Sequence, residues 1–484
     1  MSAAFHISDD GEGENATDNQ QVYELEVDEK QNDKAKELRI IHGSRPHMRA
    51  FHCAWWSFFV TFFVWFAVTP LLHDIQKTLH LTDEQVWNSS ISSVGGTILI
   101  RLIVGPLCDM YGARIPFAFM LCISSIPAAL IGVVNSATGL IIVRLFVGFV
   151  GGTFVTCQYW TTSMFTLEVV GAANGVAAGW GNLGAGVSQL VIGFMLLPLF
   201  KTMFESADRT EEDADALAWR TVSIIPALLA LITGILIYFF SDDSPKGNYS
   251  ELKNSGLMDR VSFFGSFSKA ARHPTTWIMA IQYACCFGVE LTMNNAAVMY
   301  FKREFSQSAE VAAAIAAIFG WMNLFARGLG GYLSDMAMAR QGMRGRIIVH
   351  SLFLFSEGAL VLIFANTKGL GSSVVVMVIF SIAVQASEGT TFGIVPYISP
   401  PATGSVTGIV GAGGNVGAVL FGLAFRQYDF NQAFNIMGGT VLVSTLFSAF
   451  VFISKEHSSL FFSETHPDCP ALPGRRETAH DRNV

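Results

Sequence analysis

Charge is what this chain has least of. Asp, Glu, Lys and Arg make up only 14% of its 484 residues, where a soluble domain carries about 25%. The chain is too long for one core, and it lacks the polar surface that several soluble domains would need. Cysteine is sparse too, with seven residues. Cys53, Cys108, Cys122, Cys157, Cys285 and Cys286 lie in or beside apolar runs, and none has the paired spacing of metal ligands. That argues against a disulfide framework and a zinc site. No nucleophile–base set, nucleotide loop or metal motif is present, so neither an enzyme nor a cofactor is expected. Residues 1–39 are polar and acidic and hold no apolar stretch, so no cleavable signal peptide is expected. The net charge of −8 comes largely from this tail and from a Glu211-Glu212-Asp213-Ala214-Asp215 loop. It identifies no partner class, and no nucleic acid is expected.

What is abundant is apolar surface. Hydrophobic residues are 51% of the chain and phenylalanine alone contributes 40 residues. A helix needs roughly 20 apolar residues to span hydrocarbon. Such runs fall near 52–72, 88–108, 115–134, 138–160, 169–199 and 220–240, then near 274–300, 311–334, 346–366, 372–395, 402–425 and 433–454. The expected protein is therefore all-α and polytopic, with 12 transmembrane helices in two six-helix halves. Residues 1–48 form a disordered tail too polar to pack, 49–240 the first half, 241–273 a polar linker, 274–455 the second half, and 456–484 a second tail. Lys and Arg concentrate before the first run, after the second, in the linker and after the eighth. Both termini and the linker are placed in the cytoplasm on that bias.

The halves echo each other. Arg101 precedes Asp109 by eight residues, and Arg327 precedes Asp335 by the same eight. Gly181-Asn182-Leu183-Gly184 and Gly414-Asn415-Val416-Gly417 repeat a Gly-Asn-x-Gly pattern in small-residue runs. Weak internal symmetry of this kind characterises secondary transporters. Most of the glycines read as helix-packing surface. Asn182 and Asn415 each need a partner in lipid, either another helix or a polar ligand across a central cavity. An arginine at a helix centre costs roughly 2.5–3.5 kcal/mol even on a lenient scale. Arg101 and Arg327 have no acidic neighbour one turn away; Thr97 and Asn323 stand there instead. They read either as a fork-shaped site for a planar anion or as ion-pair partners of Glu290, Glu357 or Glu388. Arg144, which has no symmetric mate, reads as the latter.

Gly105-x-Leu107-x-Asp109-x-x-Gly112-x-Arg114 resembles the cytoplasmic gating motif of the major facilitator superfamily, with Asp335 in the second copy. Asp109 and Arg114 then form contacts that break as the halves rock. Arg45-Pro46-His47-Met48-Arg49, Cys157-Gln158-Tyr159-Trp160, Gly179-Trp180-Gly181-Asn182, Gly288-Val289-Glu290-Leu291, Gly342-Met343-Arg344-Gly345-Arg346 and Thr390-Thr391-Phe392-Gly393-Ile394-Val395-Pro396 resemble the nitrate/nitrite porter family. The resemblance covers roughly 45–455 and is greatest to the high-affinity nitrate transporters of plants and algae; the short linker fits that branch. It departs at Ala185, which follows Gly184 and interrupts the first glycine run. The resemblance implies substrate binding by Arg101 and Arg327, signature roles for Asn182 and Asn415, and an aromatic face of Tyr283 and Phe287. It implies proton-coupled symport of nitrate, with nitrite as a further substrate. Glu290 and Glu388 are the proton-coupling candidates, though either could be a structural ion-pair partner. Nitrate/nitrite exchange and a nitrate sensor without net transport are the alternatives. A plasma-membrane or internal-membrane location and a single-span accessory membrane protein complete the expectation.

Overall fold

Hydrocarbon offers no hydrogen-bond partner to a peptide group, so apolar runs must satisfy their backbone internally as helices. The computed structural model describes residues 23–205, 210–256, 261–453 and 458–461. Its long helices are α1 (His47–Thr78), α2 (Asp83–Tyr111), α3 (Arg114–Val133), α4 (Ala137–Met164), α5 (Val170–Phe204) and α6 (Glu211–Phe240), then α7 (Pro274–Glu304), α8 (Val311–Gln341), α9 (Met343–Ala365), α10 (Leu370–Ile398), α11 (Pro400–Gln427) and α12 (Phe430–Phe450). Eleven helices among the described residues are long and apolar enough to cross a membrane. The helix outside that set is α7, which is 31 residues long but carries Gln282, Glu290, Asn294 and Asn295. The expected count of twelve spans therefore rests on α7.

Several boundaries differ from expectation. The acidic stretch 211–215 is the first turn of α6, not a loop. Thr210 caps it by accepting from the Asp213 N–H (3.2 Å), and carboxylates in a first turn suit the positive end of the helix dipole. Residues 1–22 of the expected unpacked tail, and all of the second tail except 458–461, lie outside the described residues. Residues 23–46 do pack. Strands β1 (Val27–Asp28) and β2 (Lys34–Ala35) form an antiparallel pair that lies on the α4–α5 turn. There the Thr166 N–H donates to Ala35 O (3.0 Å), the Lys34 ammonium to Thr162 O (2.8 Å), and the Leu167 N–H to Gln31 Oε1 (3.0 Å). The strap is polar because the helix ends it covers present unpaired backbone groups. Burial brings the Lys34 ammonium down to about 8. Short strands β3 (Phe452–Ile453) and β4 (Ser458–Ser459) follow α12.

The halves meet mainly along α2 with α11 and α5 with α8. Small residues make that possible: a Cβ on Gly105 would lie 2.6 Å from Gly404 O, and one on Gly175 the same distance from Arg327 O. Gly112 and Gly342 end α2 and α8 with φ of +78° and +62°, a left-handed turn that favours glycine.

On the linker side each half is latched to the other by an aspartate. Asp109 accepts from the N–H groups of Gly404 (2.8 Å) and Ser405 (2.9 Å) at the start of α11, and from Ser266 Oγ (2.5 Å) of the linker helix Phe263–Ala271. Asp335 accepts from the N–H groups of Gly171 (3.0 Å) and Ala172 (2.6 Å) at the start of α5. A carboxylate at a helix N-terminus is held by free N–H groups and by the helix dipole. Asp335 also pairs with Arg346 (2.7 Å). Arg114 departs from the expected inter-half contact, because its guanidinium faces Asp243 (3.6 Å) and Tyr238 O (3.1 Å) beside its own helix. On the opposite side Arg426 pairs with Glu84 (2.5 Å) and Arg303 lies 3.9 Å from Asp83, around a vestibule that includes Trp87.

A Cβ at Gly331 would overlap the backbone of Gly171 beside the Asp335 latch. Gly331→Val should therefore reach the membrane at near-normal levels yet transport at least about tenfold more slowly, since even one misplaced contact of about 1.4 kcal/mol shifts a two-state equilibrium tenfold. Flux assays with matched surface labelling check this.

Candidate functional site

The site forms where α2, α4, α7, α8, α10 and α11 converge. Arg101 and Arg327 are both fully buried. Their surroundings are not equivalent. Arg101 donates from Nε to Gly151 O (3.0 Å) and from Nη1 to Gly411 O (2.6 Å). Gly151 belongs to a 3-10 stretch, Phe149–Gly152, that interrupts α4. With the Asn415 amide oriented so that its oxygen faces donors, that oxygen accepts from Arg101 Nη1 (2.9 Å) and Nε (3.3 Å). No carboxylate forms an ion pair with Arg101 among the described residues. Its Nη2 is a buried donor without a partner.

Arg327 differs. It follows a 3-10 break in α8 at Met322–Leu324, and its Nη1 is ion-paired with Glu388 and lies 3.9 Å from Glu290. Its Nη2 donates to the Tyr283 hydroxyl (2.9 Å), while Nε has no partner. Of the two readings that the sequence left open, Arg327 thus takes the ion pair with Glu388, and Glu290 lies near it. Both acids come from other helices, where one-turn spacing on α8 could not reveal them.

The signature asparagines do not face one another. Asn182, from the first half, donates to Glu290 Oε2 (3.0 Å) of the second. Asn415, from the second half, serves Arg101 of the first. Each amide thereby satisfies a charged group across the interface. Asn323 adds a bond to Glu290 Oε1 (2.6 Å). Tyr283 and Phe287 stack one turn apart with centroids 5.2 Å apart and planes at 8°. Phe154 of α4 stacks on both. Its ring lies 4.6 Å from the Arg101 guanidinium carbon and 5.6 Å from that of Arg327, so one aromatic face serves two cations. Phe392 meets Phe154 edge-on at 5.0 Å.

Phe154, Phe392 and Asn323 escaped the sequence reading. Phe154 is one phenylalanine among 40, with nothing local to mark it, whereas Phe392 lies in the stretch 390–396 that carried the resemblance and was given no role there. Asn323 carried a signal, one polar residue a turn before Arg327 in an apolar run. Arg144 also differs from expectation. Its Nη1 donates to the Ser89 (2.8 Å) and Ser90 (2.9 Å) hydroxyls of α2 and not to a carboxylate. Its role is therefore helix packing.

Two helical halves that meet around buried charged groups have the architecture of a membrane transporter. The sequence model for the Major Facilitator Superfamily matches residues 54–422, and the fold resembles that of the proton:xylose symporter XylE, with a TM-score of 0.62 at 15% identity over 83% of this chain and 95% of that one. The high affinity nitrate transporter 2.5 of Arabidopsis thaliana is 39% identical over 409 residues, covering 84% of this chain and 80% of its own. Nitrate transporter 2.1 of Chlamydomonas reinhardtii is 34% identical over 80% of this chain and 70% of its own length. The nitrate/nitrite transporter NrtP of Nostoc punctiforme is 26% identical over 85% and 94%. The chain belongs to the nitrate/nitrite porter family of the Major Facilitator Superfamily and is not an enzyme.

Lysine keeps a positive charge but cannot span Gly151 O, Gly411 O and Asn415 as the Arg101 fork does. Arg101→Lys and Arg327→Lys should each lower anion affinity by about thirtyfold or more, the scale of a 2–5 kcal/mol loss at a buried charge contact. Arg144→Lys should instead lower expression while leaving affinity near normal. Equilibrium binding of the purified variants, set beside surface expression, separates the two effects.

Proposed function

We propose that this protein takes up nitrate, and nitrite as a second substrate, by proton-coupled symport through alternating access. The observation that carries the reading is the pair of buried guanidinium groups that share the Phe154 ring and each retain an unpartnered donor, Arg101 Nη2 and Arg327 Nε. Planar forks over flat rings suit a small planar oxyanion. In this reading α7 also crosses the bilayer, giving twelve spans, and the termini and linker lie in the cytoplasm. The protein then resides in the plasma membrane or an internal one, and a single-span membrane protein can serve as its accessory.

The coupling follows from competition for Arg327. Glu388 already occupies one edge of its guanidinium, and Glu290 lies beside it. Nitrate that takes over the fork leaves Glu388 without its cation in a dry site, where a bare carboxylate is strongly disfavoured. Glu388 must then bind a proton. Glu290 faces the same demand, moderated by the amides of Asn182 and Asn323. By formal charge, two arginines and two carboxylates sum to zero. One nitrate with two protons makes the loaded site positive. An inward-negative potential then drives loading instead of opposing it, by about 2.3 kcal/mol per charge per 100 mV. As the halves rock, the Asp109 and Asp335 latches on the linker side release while the opposite side closes.

Labelled nitrate flux in proteoliposomes tests this. An inward proton gradient should drive accumulation against the nitrate gradient. Glu388→Gln, which imitates the protonated acid, should bind nitrate yet lose its pH response, and Glu290→Gln should weaken that response. Uptake that requires internal nitrite and ignores the pH gradient would make the protein an exchanger. Binding without flux would make it a sensor.

A further inference from the structure

Two buried polar side chains of α9 stand about two turns apart, His350 and Glu357. Glu357 meets no cation among the described residues, so of the three acids weighed as arginine partners it is the one that pairs with none. His350, by contrast, has a partner at each ring nitrogen. Its Nδ1 meets Thr390 Oγ1 of α10 (2.8 Å), and its Nε2 meets Gln282 Oε1 of α7 (3.2 Å). The Gln282 amide nitrogen donates in turn to Ser448 Oγ (2.7 Å) and Ser444 O (3.3 Å) of α12. The side chains of Gln282, His350, Thr390 and Ser448 are all buried. One imidazole thus joins α7, α9, α10 and α12 within the second half.

These contacts fix the tautomer. A reversed Gln282 amide would set its oxygen against Ser444 O, so that oxygen faces His350 and requires an N–H at Nε2. In a neutral ring Nδ1 is then an acceptor, and the Thr390 hydroxyl turns from Ser387 O (2.8 Å) to donate to it. A neutral imidazole completes the cluster without burying a charge. Hydrogen bonds are directional, and a satisfied buried network rigidifies what it joins. What it joins lies beside the site. Gln282 immediately precedes Tyr283, and Thr390 follows Glu388 by two residues. Two residues are about 200° around a helix, so Thr390 leaves α10 opposite Glu388. Tyr283 and Glu388 are the side chains that hold Nη2 and Nη1 of Arg327. A Cβ on Gly389 would overlap Arg327 O, so backbone contact already sets α10 against α8. The reach of Tyr283 depends on where α7 stands relative to both.

We propose that His350 is a positioning residue for the anion site. It fixes the spacing and rotation of α7 against α10 from behind, so that the Tyr283 hydroxyl and the Glu388 carboxylate meet the Arg327 fork together. The guanidinium is then presented to a planar anion in one orientation, and the cost of ordering it is met before the anion arrives. His350 bonds to neither arginine, and its imidazole needs no change of charge in this role.

The role rests on the reading that Arg327 holds nitrate, and the test separates the two. The readout is equilibrium binding of labelled nitrate to purified protein. His350→Phe keeps a ring and loses both bonds, and its affinity should fall by about tenfold, the scale of one or two hydrogen bonds. Thr390→Val removes one hydroxyl and should lose about threefold, whereas Thr390→Ser should keep wild-type affinity. In a Tyr283→Phe background the hydroxyl to be positioned is gone. There His350→Phe should change affinity by less than about twofold, because residues that act through one another are not additive. A merely structural imidazole would lose the same tenfold in either background, and that result overturns the assignment. Wild-type affinity in His350→Phe, beside weak binding in Arg327→Lys, overturns it too and leaves the arginine site standing. Wild-type affinity in Arg327→Lys removes the site and the role together. Should His350→Phe fail to reach the membrane, Thr390→Val decides: a loss that disappears in the Tyr283→Phe background supports the assignment, and wild-type affinity overturns it.

Discussion

Two guanidinium groups lie at the heart of an apolar bundle, and most of the architecture around them answers that cost. Each would be expensive in hydrocarbon by roughly 2.5–3.5 kcal/mol even on the lenient scale. The arginine of the first half is met by neutral acceptors from both halves, the carbonyls of Gly151 and Gly411 and the amide of Asn415. The arginine of the second is met by charge, through Glu388, and by the hydroxyl of Tyr283. Neutral acceptors leave Arg101 a net cation, whereas Arg327 arrives already neutralised. The pseudo-symmetry of the chain thus ends at its centre. That asymmetry suits the proposed symport, in which one arginine attracts the anion while the other releases a base.

The same demand explains the glycines. Carbonyl groups reach a guanidinium only where helix backbones come close, and small residues allow that approach. On Gly411 a Cβ would press on Phe154 and on the Arg101 side chain itself, at 3.2 and 3.4 Å. Glycine here serves the packing and the charge together. The two latches repeat the logic at the membrane edge, where Asp109 and Asp335 hold helix starts of the opposite half through backbone N–H groups.

Much of this could be read from the residues alone, for identifiable reasons. Runs of about 20 apolar residues have few alternatives to a spanning helix, and an arginine or aspartate inside one stands out against that background. Arg101, Arg327, Asp109, Asp335, Asn182 and Asn415 were visible on those grounds. Glu290 and Glu388 were candidate partners, but which arginine each meets was not legible. Glu388 meets Arg327 from α10 and Glu290 from α7, so the pairing depends on how helices far apart in the chain pack. Phe154 hides among many phenylalanines. The segment 23–46 looked unpacked because its apolar residues are few and scattered, yet it buries Leu25 and Ala35 and is held by hydrogen bonds to helix ends, which hydropathy does not register.

Leu167 gives that segment a further meaning. Its N–H is bonded to Gln31 of the strap, while its carbonyl accepts from Arg346 (2.9 Å) and from the Tyr397 hydroxyl (2.7 Å) of the other half. A single residue therefore joins the strap to the surface along which the halves part. Speed and selectivity are governed from different places in such a molecule. In the proposed reading the choice of ion belongs to the buried arginines, whereas the ease of opening toward the linker side also answers to a short stretch outside the spanning helices. Turnover can then be adjusted, in one cell or over evolutionary time, without changing a residue that touches the cargo.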